Sequence, residues 1–298
     1  MSIARILAAT DFSPAGDRAV RAGVAIAHRE RAALRIVHAA PPRRWVAGFW
    51  GMKDPLIDAA YSQAGAALQR VASTLAEPHE LDVSTGLVTG VASRAITRAA
   101  GEFRADLIVV GARGEHETAT HHPGLGGTAG KLVAGTPMPL LLVRNEQAGN
   151  PDTVLAAIDL SPSSAAVMEW ARMCAASGRL HVFHAYEVPF AARLGAYGLG
   201  RDAIDVYSGA EHARRDRELA ALLAAHRLAG SQGIVERGDA GSLLLQCIER
   251  LDASLVVLGK HVPRRRSTTA FGSVCRYVST SARANVLVVP PAARLGAG

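Results

Sequence analysis

The chain has 298 residues, a formal net charge of +7, and 49% hydrophobic but only 5% aromatic residues. That length holds about two domains of roughly 150 residues each, with enough apolar side chains for packed cores. Scarce aromatics argue against a stacking-rich binder, and basic residues in short clusters (Arg43-Arg44, Arg214-Arg215, Arg264 to Arg266) argue against a nucleic-acid tract.

The N-terminus enters a strand at once, Ile3 to Ala9, with no apolar leader of the secretory kind. Cys174, Cys247 and Cys275 are odd in number and contain no CxxC, so they read as reduced structural thiols of a cytoplasmic protein. No apolar run approaches the roughly 18 residues of a membrane span. After the first strand, short apolar runs alternate with helical stretches. Strands are expected at Leu34 to Ala39, Ser84 to Val88, Leu107 to Val110 and Leu140 to Val143. A polar Gly/Pro stretch, NEQAGNPD at 145–152, has the composition of a linker. Beyond it, strands are expected at Val154 to Ile158, Leu180 to His184, Ile234 to Glu236, Leu255 to Leu258 and Val286 to Val289.

The two series are copies of one another. RILAATDFSP at 5–14 matches TVLAAIDLSP at 153–162, which places Asp11 and Asp159 148 residues apart. Gly90 and Gly238 keep the same offset, as do Gly111 and Gly259. Three landmarks with one spacing indicate a tandem duplication. Runs such as LIVVG and NVLVV suit strands buried on both faces, and alternation with helices implies parallel sheets. The fold class is therefore α/β, two tandem doubly wound domains over residues 1–146 and 152–292.

Each first strand ends in Asp-x-Ser-Pro. Ser before Pro is a helix start, with Ser13 or Ser161 as N-cap and Pro14 or Pro162 at the first helical position. The aspartate is not needed for that purpose. In an open parallel sheet, the carboxyl edge of the strands is where ligands bind. There Asp11 and Asp159 are placed to accept from an adenine amine or a ribose hydroxyl; support of the helix N-terminus is the other reading. After the fourth strand of the second half comes Gly259, and after a loop Gly272-Ser273 opens a helix, whose N–H groups and dipole suit phosphate oxygens.

VLAAIDLSP, VVLGKH and GSVCRYVSTSARANVLVV resemble the universal stress protein family, in its branch with two domains in one chain. The similarity covers nearly the whole chain, twice. It implies a five-stranded, Rossmann-like parallel sheet in each half and, in many members, an ATP site, with or without Mg2+. In such a site the Asp after the first strand and the backbone ending the second hold adenine. A Gly-x2-Gly-x9-Gly-(Ser/Thr) loop holds ribose and phosphates. Carried over, the second half offers Asp159, Ala185 with Tyr186 beside it, Gly259, Gly272 and Ser273, and departs at Val262, where the pattern has glycine. Valine resists positive φ. Arg264 to Arg266 behind it either supply phosphate charge or form a solvated loop. The first half offers Asp11, Ala39 with Ala40, Gly111 and Gly114. Gly126-Gly127 then aligns with Gly272-Ser273, with eleven residues between Gly114 and Gly126 rather than nine, and Thr128 stands one place late. The resemblance also implies that the last strand of each half pairs across a pseudo-two-fold axis, with a homodimer as the expected assembly.

Other patterns carry less. His116, Glu117, His121 and His122 lie in a Gly/Pro-flanked loop and read as solvated rather than metal-binding. Gly130-Lys131 is followed by Leu132, which fails a Walker loop, and GLGGTA from Gly124 does not follow a first strand. Phe12-Ser13-Pro14 stands where related nucleotidylyltransferases carry HxGH. Trp45, Phe49 and Trp50 sit in a predicted loop, where packing at an interface is the expected role. AEHARRDRELAALLAAH reads as a solvated amphipathic helix. No nucleophile or acid–base pair emerges, so the expected function is regulatory adenine-nucleotide binding with at most slow ATP hydrolysis. A nucleotide-free stress protein acting through protein contacts is the alternative.

Overall fold

In the first half, the alternating pattern produces β1 (Arg5–Ala9), α1 (Pro14–Glu30), β2 (Ala33–Ala40), α2 (Pro55–Ala76), β3 (Val83–Thr89), α3 (Ala92–Phe103), β4 (Leu107–Gly111), α4 (Gly127–Gly135) and β5 (Leu140–Val143). A 3-10 turn, Glu146–Gly149, leads into the second half. There follow β6 (Thr153–Ala157), α5 (Ser164–Cys174), β7 (Arg179–Tyr186), α6 (Arg201–Ala225), β8 (Gln232–Arg237), α7 (Ala240–Arg250), β9 (Leu255–Gly259), α8 (Ser273–Ser281) and β10 (Asn285–Val289). The computed structural model describes residues 3–42, 55–76, 81–113, 124–176, 178–188, 201–228, 230–260 and 272–291.

The ten strands among the described residues join one sheet in the order β3-β2-β1-β4-β5-β10-β9-β6-β7-β8. Within each half the pairs are parallel, as the buried apolar runs required. The halves meet at β5 and β10, which run antiparallel with Leu140 opposite Val288 and Leu142 opposite Val286. These two apolar edges therefore cover each other inside one chain.

Period-2 alternation sends successive residues of each central strand to opposite faces. Ile6, Ala8, Val109, Leu141 and Leu287 pack on one face, in a core that also holds side chains of α1 and α5. Leu7, Ile108, Val110, Leu142 and Val288 pack on the other, with side chains of α3, α4, α7 and α8. Each core contains residues of both halves, so apolar burial is continuous across the junction. Gly90 and Gly238, after β3 and β8, sit at φ 136° and 144°, which glycine adopts without strain.

The junction also carries polar links. Asn285, fully buried at the start of β10, accepts from the Arg144 and Asn145 amides at 2.8 and 3.2 Å. Its Nδ2 donates to the Ser254 carbonyl at 2.9 Å. The stretch at 145–152 is not a loose tether. Glu146 pairs with Arg21 of α1 at 2.9 Å, and Arg29 donates to the Gly149 carbonyl at 2.8 Å. On α6, Arg214 and Arg215 form i,i+3 and i,i+4 pairs with Glu211 and Glu218, as a solvated helix face does.

Helix starts differ between the copies. Ser13 caps α1 as the motif indicates, its Oγ accepting from the Gly16 amide at 3.1 Å. In the second copy α5 begins two residues later, at Ser164 with Ser163 as N-cap. The reason is Ser163, which stands where the first copy has Ala15: its hydroxyl engages Ser161 Oγ at 2.6 Å, and Ser161, Pro162 and Ser163 form a turn before the helix.

Candidate functional site

In each half the strand order runs 3-2-1-4-5, so the chain reverses direction across the sheet between its first and fourth strands. Crossovers on opposite faces part there and leave a crevice at the carboxyl ends of those strands. Two clefts result, one at β1/β4 and one at β6/β9, of about 560 and 450 Å3.

The first turn of each half aims a carboxylate into its cleft. Asp11 Oδ1 accepts from the Ser13 amide at 3.1 Å and from Ser13 Oγ at 2.5 Å. Asp159 Oδ1 accepts from the Ser161 amide and from Ser164 Oγ, both at 3.0 Å. Burial pushes the Asp159 carboxyl up, but donation from Ser161 and Ser164 outweighs it and holds the group below the usual aspartate value. Phe12 and Leu160, between these partners, take φ 64° and 57°, a left-handed conformation uncommon for bulky residues. The side chain-to-backbone turn holds the chain there and fixes the direction of the carboxylate.

Two histidines support the same turns. His38 Nδ1 lies 2.9 Å from the Thr10 carbonyl and His184 Nδ1 lies 3.0 Å from the Ile158 carbonyl. Since a carbonyl only accepts, each Nδ1 donates. Phe12 stacks on His38 with ring centroids 4.6 Å apart. VHA at 37–39 and FHA at 183–185 were the sequence signal for this pair, at an offset of 146 rather than 148. The following alanines, Ala39 and Ala185, line the clefts.

The phosphate-cradle residues of the sequence are brought to the same places. Gly111, Gly126, Gly127 and Thr128 line the first cleft with Asp11, and Gly259, Gly272 and Ser273 line the second with Asp159. A Cβ on Gly111 would lie 2.9 Å from the Ala15 carbonyl, so only glycine lets β4 end against the first turn of α1. Both α4 and α8 begin at a glycine N-cap, Gly126 or Gly272, which has no side chain to cap the helix, and their first turns line the clefts. Gly114, Val262, Arg264 to Arg266, the His116–His122 cluster and the Trp45–Trp50 loop lie outside the described residues.

Sequence reasoning missed the cations. Arg113 and Lys131 line the first cleft, and Arg113 Nε donates to the Gly124 carbonyl at 3.2 Å. Lys260 lines the second cleft yet is only 7% exposed; its Nζ donates to the Ala134 and Thr136 carbonyls of the first half at 2.8 and 3.0 Å. Arg144 works in the opposite direction, from the end of β5 to the Ser279 carbonyl in the last turn of α8. Burial and neighbouring Arg113 push its guanidinium down to about 10, which leaves it charged at neutral pH. No local pattern marks either residue, because its partners in the other half lie more than a hundred positions away.

A family-model comparison matches the universal stress protein family twice, over residues 2–144 and 151–290. The chain therefore belongs to the universal stress protein family, as a tandem two-domain member. Among solved structures it is similar to a putative universal stress protein from Pseudomonas aeruginosa UCBPP-PA14, with a TM-score of 0.71 at 19% identity, covering 97% of this chain and 93% of that one. A universal stress protein from Archaeoglobus fulgidus DSM 4304 gives a TM-score of 0.71 at 18% identity, covering 96% and 98%. These likenesses carry the fold. No curated protein matches the chain.

Proposed function

We propose that this tandem universal stress protein binds an adenine nucleotide, ATP with or without Mg2+, in at least one of its two clefts. It would act as a stress-response regulator and not as a fast catalyst. The observation that carries the reading is the pairing, in each cleft, of an oriented carboxylate with a helix N-terminus opened by glycine. Asp11 or Asp159 lies at one side, and Gly126 or Gly272 opens a helix at the other. A carboxylate accepts from an amine or hydroxyl, while N–H groups at the positive end of a helix dipole donate to phosphate oxygens. Clefts of this volume suit a ligand of nucleotide size.

Arg113 and Lys131 make the first cleft the more cationic of the two among the described residues, which favours it for the triphosphate. Mg2+ would be held chiefly by the phosphates, with Thr128 or Ser273 as the hydroxyl within the cradle. Hydrolysis needs a positioned water and base, and the described bases of the clefts, Asp11 and Asp159 with His38 and His184, all stand at the ends of the first and second strands on the adenine side, so turnover should be slow at most. The cytoplasm is the proposed setting, in keeping with Cys174, Cys247 and Cys275, all free thiols. A homodimer belongs to the same proposal and is checked by light scattering.

Calorimetric titration of Mg-ATP into the parent, Asp11→Ala and Asp159→Ala proteins tests the reading. Loss of a buried hydrogen bond to the base should weaken one class of site by roughly tenfold in at least one variant. Binding unchanged in both variants would contradict the assignment, and no binding to the parent would leave the contact-only alternative.

A further inference from the structure

Lys260 is the first residue after β9, at the start of the glycine loop of the second half. Its counterpart 148 residues earlier is Ala112, so the duplication does not account for it. The side chain is buried and crosses the junction between the halves. There it donates to the Ala134 and Thr136 carbonyls at the end of α4. Those carbonyls belong to the negative end of the helix, where orphan acceptors need donors and positive charge is stabilising. The other end of α4 starts at Gly126 and supplies Gly127, Thr128 and Ala129 to the first cleft. Helix α4 has nine residues, about 13 Å at 1.5 Å per residue. A segment that short moves as a unit, so holding one end fixes the other.

We propose that Lys260, a residue of the second half, is a positioning residue for the phosphate end of the first cleft: by clamping the C-terminus of α4 it sets where the N–H groups at Gly127 to Ala129 lie. This rests on the nucleotide reading above. The first cleft is then incomplete without the second half, and a ligand in the second cleft, which Lys260 also lines, shares a residue with the first site.

The test uses the full chain with the second cleft silenced by Asp159→Ala and Gly272→Val, into which Lys260→Met or Lys260→Arg is introduced. Mg-ATP and adenosine are titrated into each protein. Lys260→Met should weaken ATP by roughly tenfold, the scale of a lost charge-assisted hydrogen-bond pair. Adenosine, which has no phosphate to place, should change by less than about twofold, and Lys260→Arg, which keeps the charge and donors, should stay near the parent. Equal weakening of ATP and adenosine, or no weakening, overturns the proposal. If the silenced parent binds neither ligand, the first cleft is not a nucleotide site, and if the unsilenced protein binds neither as well, the nucleotide reading itself fails. Amide exchange then decides on Lys260: faster exchange over residues 127–136 in Lys260→Met supports the clamp, and unchanged exchange overturns it.

Discussion

Asp159 is the residue on which the second cleft turns. Its carboxyl is held below the usual value by Ser161 and Ser164 against the opposing effect of burial. A depressed folded-state pKa contributes stability above the unfolded value of 3.8, and that contribution is lost as pH falls through the folded value. Removing one donor by Ser164→Ala should raise the Asp159 pKa toward the ordinary aspartate value and so reduce the stability that this group contributes above pH 3.8 and loses in acid. Carboxyl NMR titration of parent and variant measures it; an unchanged pKa would show that the Ser164 contact does not hold the charge. At this scale the sequence was informative where residues act through near neighbours. Asp11 and Asp159 stood out because they recur at a fixed offset and partner residues two to five positions away, and Gly111 and Gly259 because they keep the same offset. Lys260 and Arg144 were invisible for the opposite reason: their bonds to the other half span 124 residues or more, and neither cation recurs in the other copy.

At the scale of elements, hydrophobic period and turn chemistry placed all ten strands within about three residues at either end. They did not anticipate that two nearly identical Ser-Pro motifs would start their helices differently. One side chain decides that: Ser163 in place of Ala15 gives Ser161 a hydroxyl to bond, while Ser13 remains a helix cap. Substitution should reveal the difference. Ser13→Ala loses an N-cap and should cost about 1 kcal/mol in urea denaturation. Ser161→Ala loses an exchangeable hydroxyl pair near the surface and should cost ~0.5 kcal/mol or less. Equal costs would mean that the two turns are energetically alike despite their geometry. The stretch at 145–152 lies between the two matched copies, as its composition suggested, and it is packed as a turn fastened to α1, which composition alone does not show.

At the scale of the whole molecule, the two halves form one sheet and share both cores. The antiparallel β5–β10 seam buries apolar edges, and Asn285 satisfies amides that a purely apolar seam would leave unpaired. The resemblance had implied the seam; the buried asparagine and the crossed cations Lys260 and Arg144 emerge only in three dimensions. Together they place two clefts on one rigid frame, with each cradle helix held at its far end by the other half. The central claim is that these clefts hold an adenine nucleotide. The most direct test is mass spectrometry of small molecules released when freshly purified protein is denatured. The account predicts ATP or another adenine nucleotide at about one per chain or more, with stabilisation of the native state by added Mg-ATP. Protein that releases no nucleotide and shows no thermal shift in millimolar Mg-ATP would contradict it.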